Sequence, residues 1–501
     1  MGGHDSVQSN VATSQSASPN SRRDRAIKQS EILAFATIFV AIVGMFLSSP
    51  RFAGPDENHH QGTAWYVGDH VMPPRSEILS QVPGIISERP CFAFTSEVDA
   101  GCVRAETGEG SSTVRILNYP PIYYWAVTLG QRSLLALGST RLDLGGRAAS
   151  MLLNMGALAL LAWMLSKSTR TWGSYILLVT TPMAAFLWAV VNPSGWEITT
   201  GLLFAYLFTV MWWRGLDGGP LKGSLANLIG LGVAALLFGL SRHDAVVWLL
   251  LLIAGILLMG SSQTSKVDKA RTIVASAVGI AAGVIWNLLF RAQHIIANET
   301  PVTNPGFNDY IGWLGQIDNA ISDRVRQMIG VLGWLDTPIP EWLMFTILAG
   351  WAMLIGVLFT RSRIPVRVLI FGFAISILLP MAIELSRWND WPYWYQGRIT
   401  LPFTLAFLLA ILVRFGETSR RPAQAMSIVM GLAVAVMVWQ NLMRNAFGIR
   451  GYLPLRWDSP SISSFEYWGA WVCVGLLVIF SLARAWLLWR ETHLRSKTIA
   501  A

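Results

Sequence analysis

The sequence predicts an all-α polytopic membrane protein: about 12 transmembrane helices and a long first extracytoplasmic loop containing juxtamembrane helices. Three observations predict it. Of 501 residues, 53% are hydrophobic and 13% charged, where ordinary soluble domains carry about 25% charged residues. Apolar runs recur from Ile32 to Leu488, many of them near the ~20 residues that cross a bilayer. The basic residues behind the net charge of +9 sit in short clusters between those runs, as in cytoplasmic loops. A nucleic-acid partner would call for a continuous basic face, and none appears.

Residues 1–30, rich in Ser, Asn and Gln and ending in Arg22, Arg23, Arg25 and Lys28, read as a disordered cytoplasmic tail. The run from Ile32 to Leu47 is longer than a typical h-region and no A-x-A site follows, so it reads as a retained signal-anchor helix. The transmembrane domain then covers 31–489, with spans near 31–49, 148–166, 173–191, 195–213, 225–240, 245–259, 272–290, 341–359, 366–384, 398–413, 425–441 and 466–489. A cytoplasmic tail, 490–501, follows. The segment 121–138 is ambiguous because Gln131 and Arg132 fall in its middle. If it lies along the outer face, Lys167, Arg170, Arg214, Lys222, Lys266, Lys269, Arg271, Arg361, Arg363, Arg367, Arg414, Arg420 and Arg421 all lie inside with both termini. If it crossed, that asymmetry would reverse.

Two long loops, 50–147 and 291–340, then face outward. Cys91 and Cys102 in the first close a small disulfide ring in an oxidising compartment, or are two unrelated thiols. Cys473, inside the last span, reads as a buried apolar residue.

With this topology, five polar clusters fall on one side: Gly54 to His60, Asn118 to Pro121, Asn192 to Glu197, Ser241 to Asp244, and Ser386 to Arg398. Ionisable groups at membrane depth are costly and mark cavities, so an outward-facing polar cavity is expected. Asp56 and Glu57 are candidates for a general base, or for a capping acidic pair. His59 and His60 are possible metal ligands with Asp56, although adjacent histidines do not share one helix face. Arg398, after Gly397, suits a phosphate gripped by two hydrogen bonds, or snorkels to lipid headgroups; Arg242 carries the same two readings. Trp394 belongs to a dense aromatic patch with Trp388, Trp391, Tyr393 and Tyr395, either an interfacial belt or sugar-stacking rings.

At Pro55-Asp56-Glu57 with His59 or His60, Tyr119-Pro120-Pro121-Ile122-Tyr123-Tyr124, Arg147, Asn192-Pro193-Ser194 with Glu197, and Gln396-Gly397-Arg398, the chain resembles a family of bacterial polytopic membrane proteins of unknown function. That family resembles the GT-C superfamily of glycosyltransferases. The resemblance implies a multi-pass protein of the bacterial plasma membrane. It implies inverting transfer of a sugar from a polyprenyl-phosphate donor to a glycan, lipid or protein acceptor at the outer face. Asp56 is then the base, with Glu57 its neighbour, and His60, Tyr119, Asn192, Glu197, Arg242, Trp394, Gln396 and Arg398 hold substrate. No cofactor is certain; a divalent metal is possible. A lipid-linked donor needs no nucleotide pocket, in keeping with a sequence that has no P-loop. The alternative is a transporter or flippase of lipid-linked sugars, for which inverted repeats would speak.

Overall fold

Helix α1 (Pro19–Ser48) starts well inside the stretch expected to be a disordered tail. Neither Gly nor Pro interrupts the chain between Asn20 and Gly44, so the helix of the apolar run propagates backwards at little cost. This structure is a computed structural model, and it describes residues 19–72, 78–87, 90–103, 108–114, 119–260, 262, 264–290, 317–386, 396–448 and 462–500. In chain order the helices are α1, α2 (Glu57–His70), α3 (Gly84–Ser87), α4 (Ile122–Ala136), α5 (Leu142–Ser166), α6 (Trp172–Leu178), α7 (Pro182–Ala189), α8 (Pro193–Arg214), α9 (Ser224–Gly239), α10 (Ala245–Leu258) and α11 (Lys266–Leu289). They continue with α12 (Ile317–Gly330), α13 (Glu341–Ser362), α14 (Val366–Phe373), α15 (Leu379–Ser386), α16 (Leu401–Phe415), α17 (Arg420–Phe447) and α18 (Ser464–Ala500). The last runs through the segment expected to be a C-terminal tail.

Six helical segments among the described residues are long and apolar enough to cross a membrane: Asp24–Ser48, Leu142–Ser166, Lys266–Leu289, Glu341–Ser362, Gly397–Phe447 and Ser464–His493. Ser224–Gly239, Ala245–Leu258 and Val366–Ala382 are shorter apolar helices. The third expected span is not one straight helix. It is the pair α6 and α7, bent by 89°, which makes a seventh candidate if taken as one span. Pro182 opens α7, and the Thr181 hydroxyl accepts from the Ala184 amide at 3.1 Å to cap it. Residues 173–206 around this break are buried by other helices, where irregular backbone is tolerated at membrane depth.

The chain is mostly helical but not all-α. Two short antiparallel ribbons occur among the described residues, β1 (Ile78–Pro83) with β2 (Glu109–Val114) and β3 (Val331–Leu332) with β4 (Thr337–Pro338). Both lie in the loops, where a backbone outside any helix needs another partner for its N–H and C=O groups. The first ribbon belongs to a loop held by the Cys91–Cys102 disulfide, with Cα atoms 6.1 Å apart. Cys473 is free and buried.

The ambiguous segment is a helix, α4, packed on α5 and α2. Gly130 and Gly145 face each other there, and a Cβ on either would run into the other's carbonyl. The two puzzling polar residues are both engaged. Gln131 Nε2 donates to Gln61 Oε1 at 2.7 Å, and Arg132 pairs with Asp69 at 2.6 Å while covering the Trp65 ring.

At one end of the bundle α1, α18, α6 and α17 are pinned by a buried polar group. The Glu31 carboxylate accepts from the Ser174 amide at 2.7 Å and from Gln424 at 2.9 Å, while Arg484 donates to Ser30 O, Ser174 Oγ and Ser427 Oγ. The other end, where α1, α7 and α9 finish and α5, α8, α10 and α16 begin, gathers the residues of interest.

Candidate functional site

Asp56 precedes α2 in the left-handed region, at φ 57°, ψ 16°, and its side chain makes no capping hydrogen bond. The capping reading of Asp56 therefore fails. Asp tolerates that region better than most residues, yet such a backbone persists only where its surroundings impose it. Those surroundings can be named. The next residue, Glu57, is fully buried; its Oε1 lies 2.9 Å from Arg147 Nε and accepts from the Val191 amide at 3.0 Å, and its Oε2 accepts from the Gly54 amide at 3.0 Å. Arg147 also donates to Ser49 O at 2.6 Å. Asn192 Nδ2 donates to Pro55 O at 3.0 Å while Asn192 Oδ1 accepts from the Ser194 amide at 2.9 Å, capping α8. The turn carrying Asp56 is thus tied to α1, α5 and the α7–α8 corner.

Asp56 is half exposed, and its Oδ2 lies 3.7 Å from Arg398 Nη2. Arg398 comes from a short 3-10 turn, Gly397–Thr400, that leads into α16. Helix α12 holds this turn. Gln327 Oε1 accepts from the Gly397 amide at 2.8 Å, and a Cβ on residue 397 would collide with Arg324 O. Arg398 Nη1 is buried without a hydrogen-bond partner among the described residues.

Arg242, in the α9–α10 turn, donates from Nη1 to Ser194 Oγ at 2.7 Å and from Nη2 to the Tyr119 hydroxyl at 2.9 Å. Asp244 and Glu197 flank it at 3.4 and 3.6 Å. Burial pushes the Asp244 carboxyl up, but the Arg242 charge outweighs it and leaves it below its ordinary range. Tyr119 lies between His60 and His243, with ring centroids 6.1 and 5.4 Å away, and burial raises its phenol above the ordinary value. His60 Nδ1 lies 2.9 Å from the Tyr124 hydroxyl. Burial, helped by the Arg242 charge, drives His60 well below its usual value, so the imidazole is neutral at neutral pH.

These groups line a cavity of about 160 Å³, bounded by Asp56, His60, Tyr119, Asn192, Ser194, Arg242, Gln396, Arg398 and Ile399. Seven of the residues singled out in the sequence therefore meet: Asp56, His60, Tyr119, Asn192, Arg242, Gln396 and Arg398. Two do not reach the cavity wall. Glu57 is turned away into its ion pair with Arg147, because a carboxylate with no water needs a charged partner, and it holds the turn without facing the cavity. Glu197 is buried behind Arg242. Trp394 and its aromatic neighbours, Asn118, and residues 291–316 of the second long loop lie outside the described residues. Of the two histidines, His60 lines the cavity and His59 does not. Among the described residues no three His, Cys, Asp or Glu side chains converge as a metal site. Sequence reasoning missed Gln327 and Tyr124 as supports. Tyr124 lay in the quoted tyrosine motif, whereas Gln327 sits on a polar helix face and nothing distinguishes it.

Residues 39–407 match the family model described as "Predicted membrane protein (DUF2142)", a span that includes every residue lining the cavity. No curated protein matches the chain.

Proposed function

The chain belongs to the DUF2142 family of membrane proteins, and from that premise we propose that it is a GT-C-type inverting glycosyltransferase. It moves a sugar from a polyprenyl-phosphate donor to an envelope glycan, lipid or protein hydroxyl at the outer membrane face. In this reading the apolar segments make about twelve spans with both termini cytoplasmic, which keeps the basic clusters inside. The observation that carries the proposal is the pairing of Asp56 with Arg398, a half-exposed carboxylate facing a buried guanidinium in one polar cavity.

The chemistry divides between them. Asp56 takes the proton of the acceptor hydroxyl as its oxygen attacks the anomeric carbon. The bond from that carbon to the phosphate oxygen breaks, and its electron pair leaves with the phosphate. Arg398 and Arg242 stabilise the charge that develops there, and the N-terminus of α8, capped by Asn192, adds its positive dipole end. The cavity is smaller than the ~300–1,000 Å³ of sites that enclose a drug-sized ligand. It takes the reacting groups and leaves the polyprenyl chain in the bilayer.

The bent pair α6–α7 favours a second reading, a flippase for the same lipid-linked sugar, because broken helices beside a site are a transporter feature. One experiment separates the two. Purified protein is given a polyprenyl-phosphate sugar and candidate acceptors, and both transfer and translocation are followed. Asp56→Asn should lower transfer by roughly 10²–10⁴-fold without changing the melting temperature. Full transfer by this variant overturns the base assignment, and translocation without transfer by the parent protein selects the flippase.

A further inference from the structure

We propose that a second cavity, at the opposite end of the bundle from Asp56, receives the headgroup of an anionic phospholipid. Its volume is about 840 Å³, within the roughly 300–1,000 Å³ of small-molecule sites. It opens between the early turns of α1, the C-terminal end of α5, the Ser166–Trp172 turn and Glu417. Neither Asp56 nor any residue of its cavity contributes, so the inference stands apart from the glycosyltransferase reading.

Charge and position both point to a lipid. Lys28, Lys167 and Arg170 outnumber Asp24 and Glu417 in the lining, and both acids are already engaged. Asp24 pairs with Arg170 at 3.4 Å, and Glu417 accepts from the Thr169 hydroxyl at 2.7 Å. The excess positive charge suits one phosphodiester. Lys167 is set on the Trp163 ring, 3.3 Å from its centroid, and donates to Pro220 O at 3.3 Å. Trp rings are enriched at the headgroup level of a bilayer.

The distance along α1 agrees. From Lys28 to Ser48 the helix rises roughly 30 Å, the thickness of a hydrocarbon core. The two cavities therefore sit at the two surfaces of one membrane.

The walls decide between a lipid and a free phosphate. Ile27, Ile32 and Trp172 line the same cavity, and Ile32 and Trp163 are each 48% exposed on the flank of the bundle. An apolar path thus leads from the cations to the lipid-facing surface, where acyl chains would lie. A free anion has no use for it. Basic pockets between spanning helices commonly take anionic headgroups in this way.

The test uses the whole purified protein in phosphatidylcholine nanodiscs, titrated with phosphatidylglycerol, phosphatidylethanolamine or inorganic phosphate and read by native mass spectrometry. Phosphatidylglycerol should bind in preference to the other two. Lys28→Gln and Lys167→Gln should each weaken it roughly fivefold, and together about thirtyfold. The melting temperature in phosphatidylcholine alone should stay unchanged, which shows that the variants fold. Equal phosphatidylglycerol binding by the double variant overturns the proposal. So does inorganic phosphate or phosphatidylethanolamine binding as tightly as phosphatidylglycerol.

Discussion

Glu57 and Arg147 form a fully buried ion pair, 2.9 Å from Oε1 to Nε, across some ninety residues of chain. The carboxylate also takes two backbone amides from separate segments, Gly54 and Val191. The pair is thus the joint at which the turn before α2, the start of α5 and the end of α7 are held in register.

Breaking one half of this joint should cost much of the protein's stability. Arg147→Met leaves the Glu57 carboxylate buried and uncompensated, a loss of about 3–5 kcal/mol. The double variant Glu57→Met/Arg147→Met should recover part of it, since replacing both charges removes the desolvation cost. Thermal unfolding in detergent reads both. A single variant that melts like the parent would refute the structural role of the pair.

Gly397→Ala tests the support of Arg398 without touching its charge. The new Cβ meets Arg324 O, so the turn shifts and carries the guanidinium with it. Displacement of a positioned group by about 1 Å can cost ~10²-fold in rate. Under the proposed glycosyltransferase function, transfer should therefore fall while membrane insertion is retained. Unchanged transfer would mean that Arg398 needs no such placement.

His60 sets a pH dependence whose sign follows from its burial. Its folded-state value lies well below the ordinary 6.5, so below about pH 6.5 the unfolded chain binds the extra proton first. Stability contributed by neutral His60 is complete above that pH and declines as pH falls towards the folded value. Melting temperatures from pH 7.5 to 5 should drop in the parent and drop less in His60→Gln. Parallel profiles would remove His60 as the cause.

The Cys91–Cys102 ring and Arg444 restrain one loop together. Arg444 donates to the carbonyls of Phe92, Thr95 and Val98 and pairs with Asp336 at 2.5 Å. Closing a loop of eleven positions contributes about 2–3 kcal/mol in the chain-entropy view. Cys91→Ser/Cys102→Ser should expose this loop to proteolysis, and Arg444→Gln should do so more strongly because three loop carbonyls lose their donor at once. Protease resistance equal to the parent in both variants would count against the restraint.

The membrane class was plain from composition and apolar runs, because the bilayer imposes it on every residue of a span. The convergence of Asp56, His60, Tyr119, Asn192, Arg242, Gln396 and Arg398 was also legible, since loop charges ordered the segments and put these groups at one end. The bend between α6 and α7 was not. Thr180-Thr181-Pro182 sits inside an apolar run, and hydropathy does not register direction. The two ribbons were missed because short strands in polar loops lack a periodic pattern.

By itself the sequence determined that this chain lives in a membrane and that the polar clusters around Asp56, Asn192, Arg242 and Arg398 share one end, because apolar length and charge position are read residue by residue. Tertiary structure alone decided between two adjacent carboxylates. Asp56 opens to the cavity opposite Arg398 and Glu57 is locked to Arg147, since which guanidinium each carboxylate meets depends on segments far along the chain. The dry interior makes an unpaired charge too costly to leave. A neighbour at the surface is under no such demand.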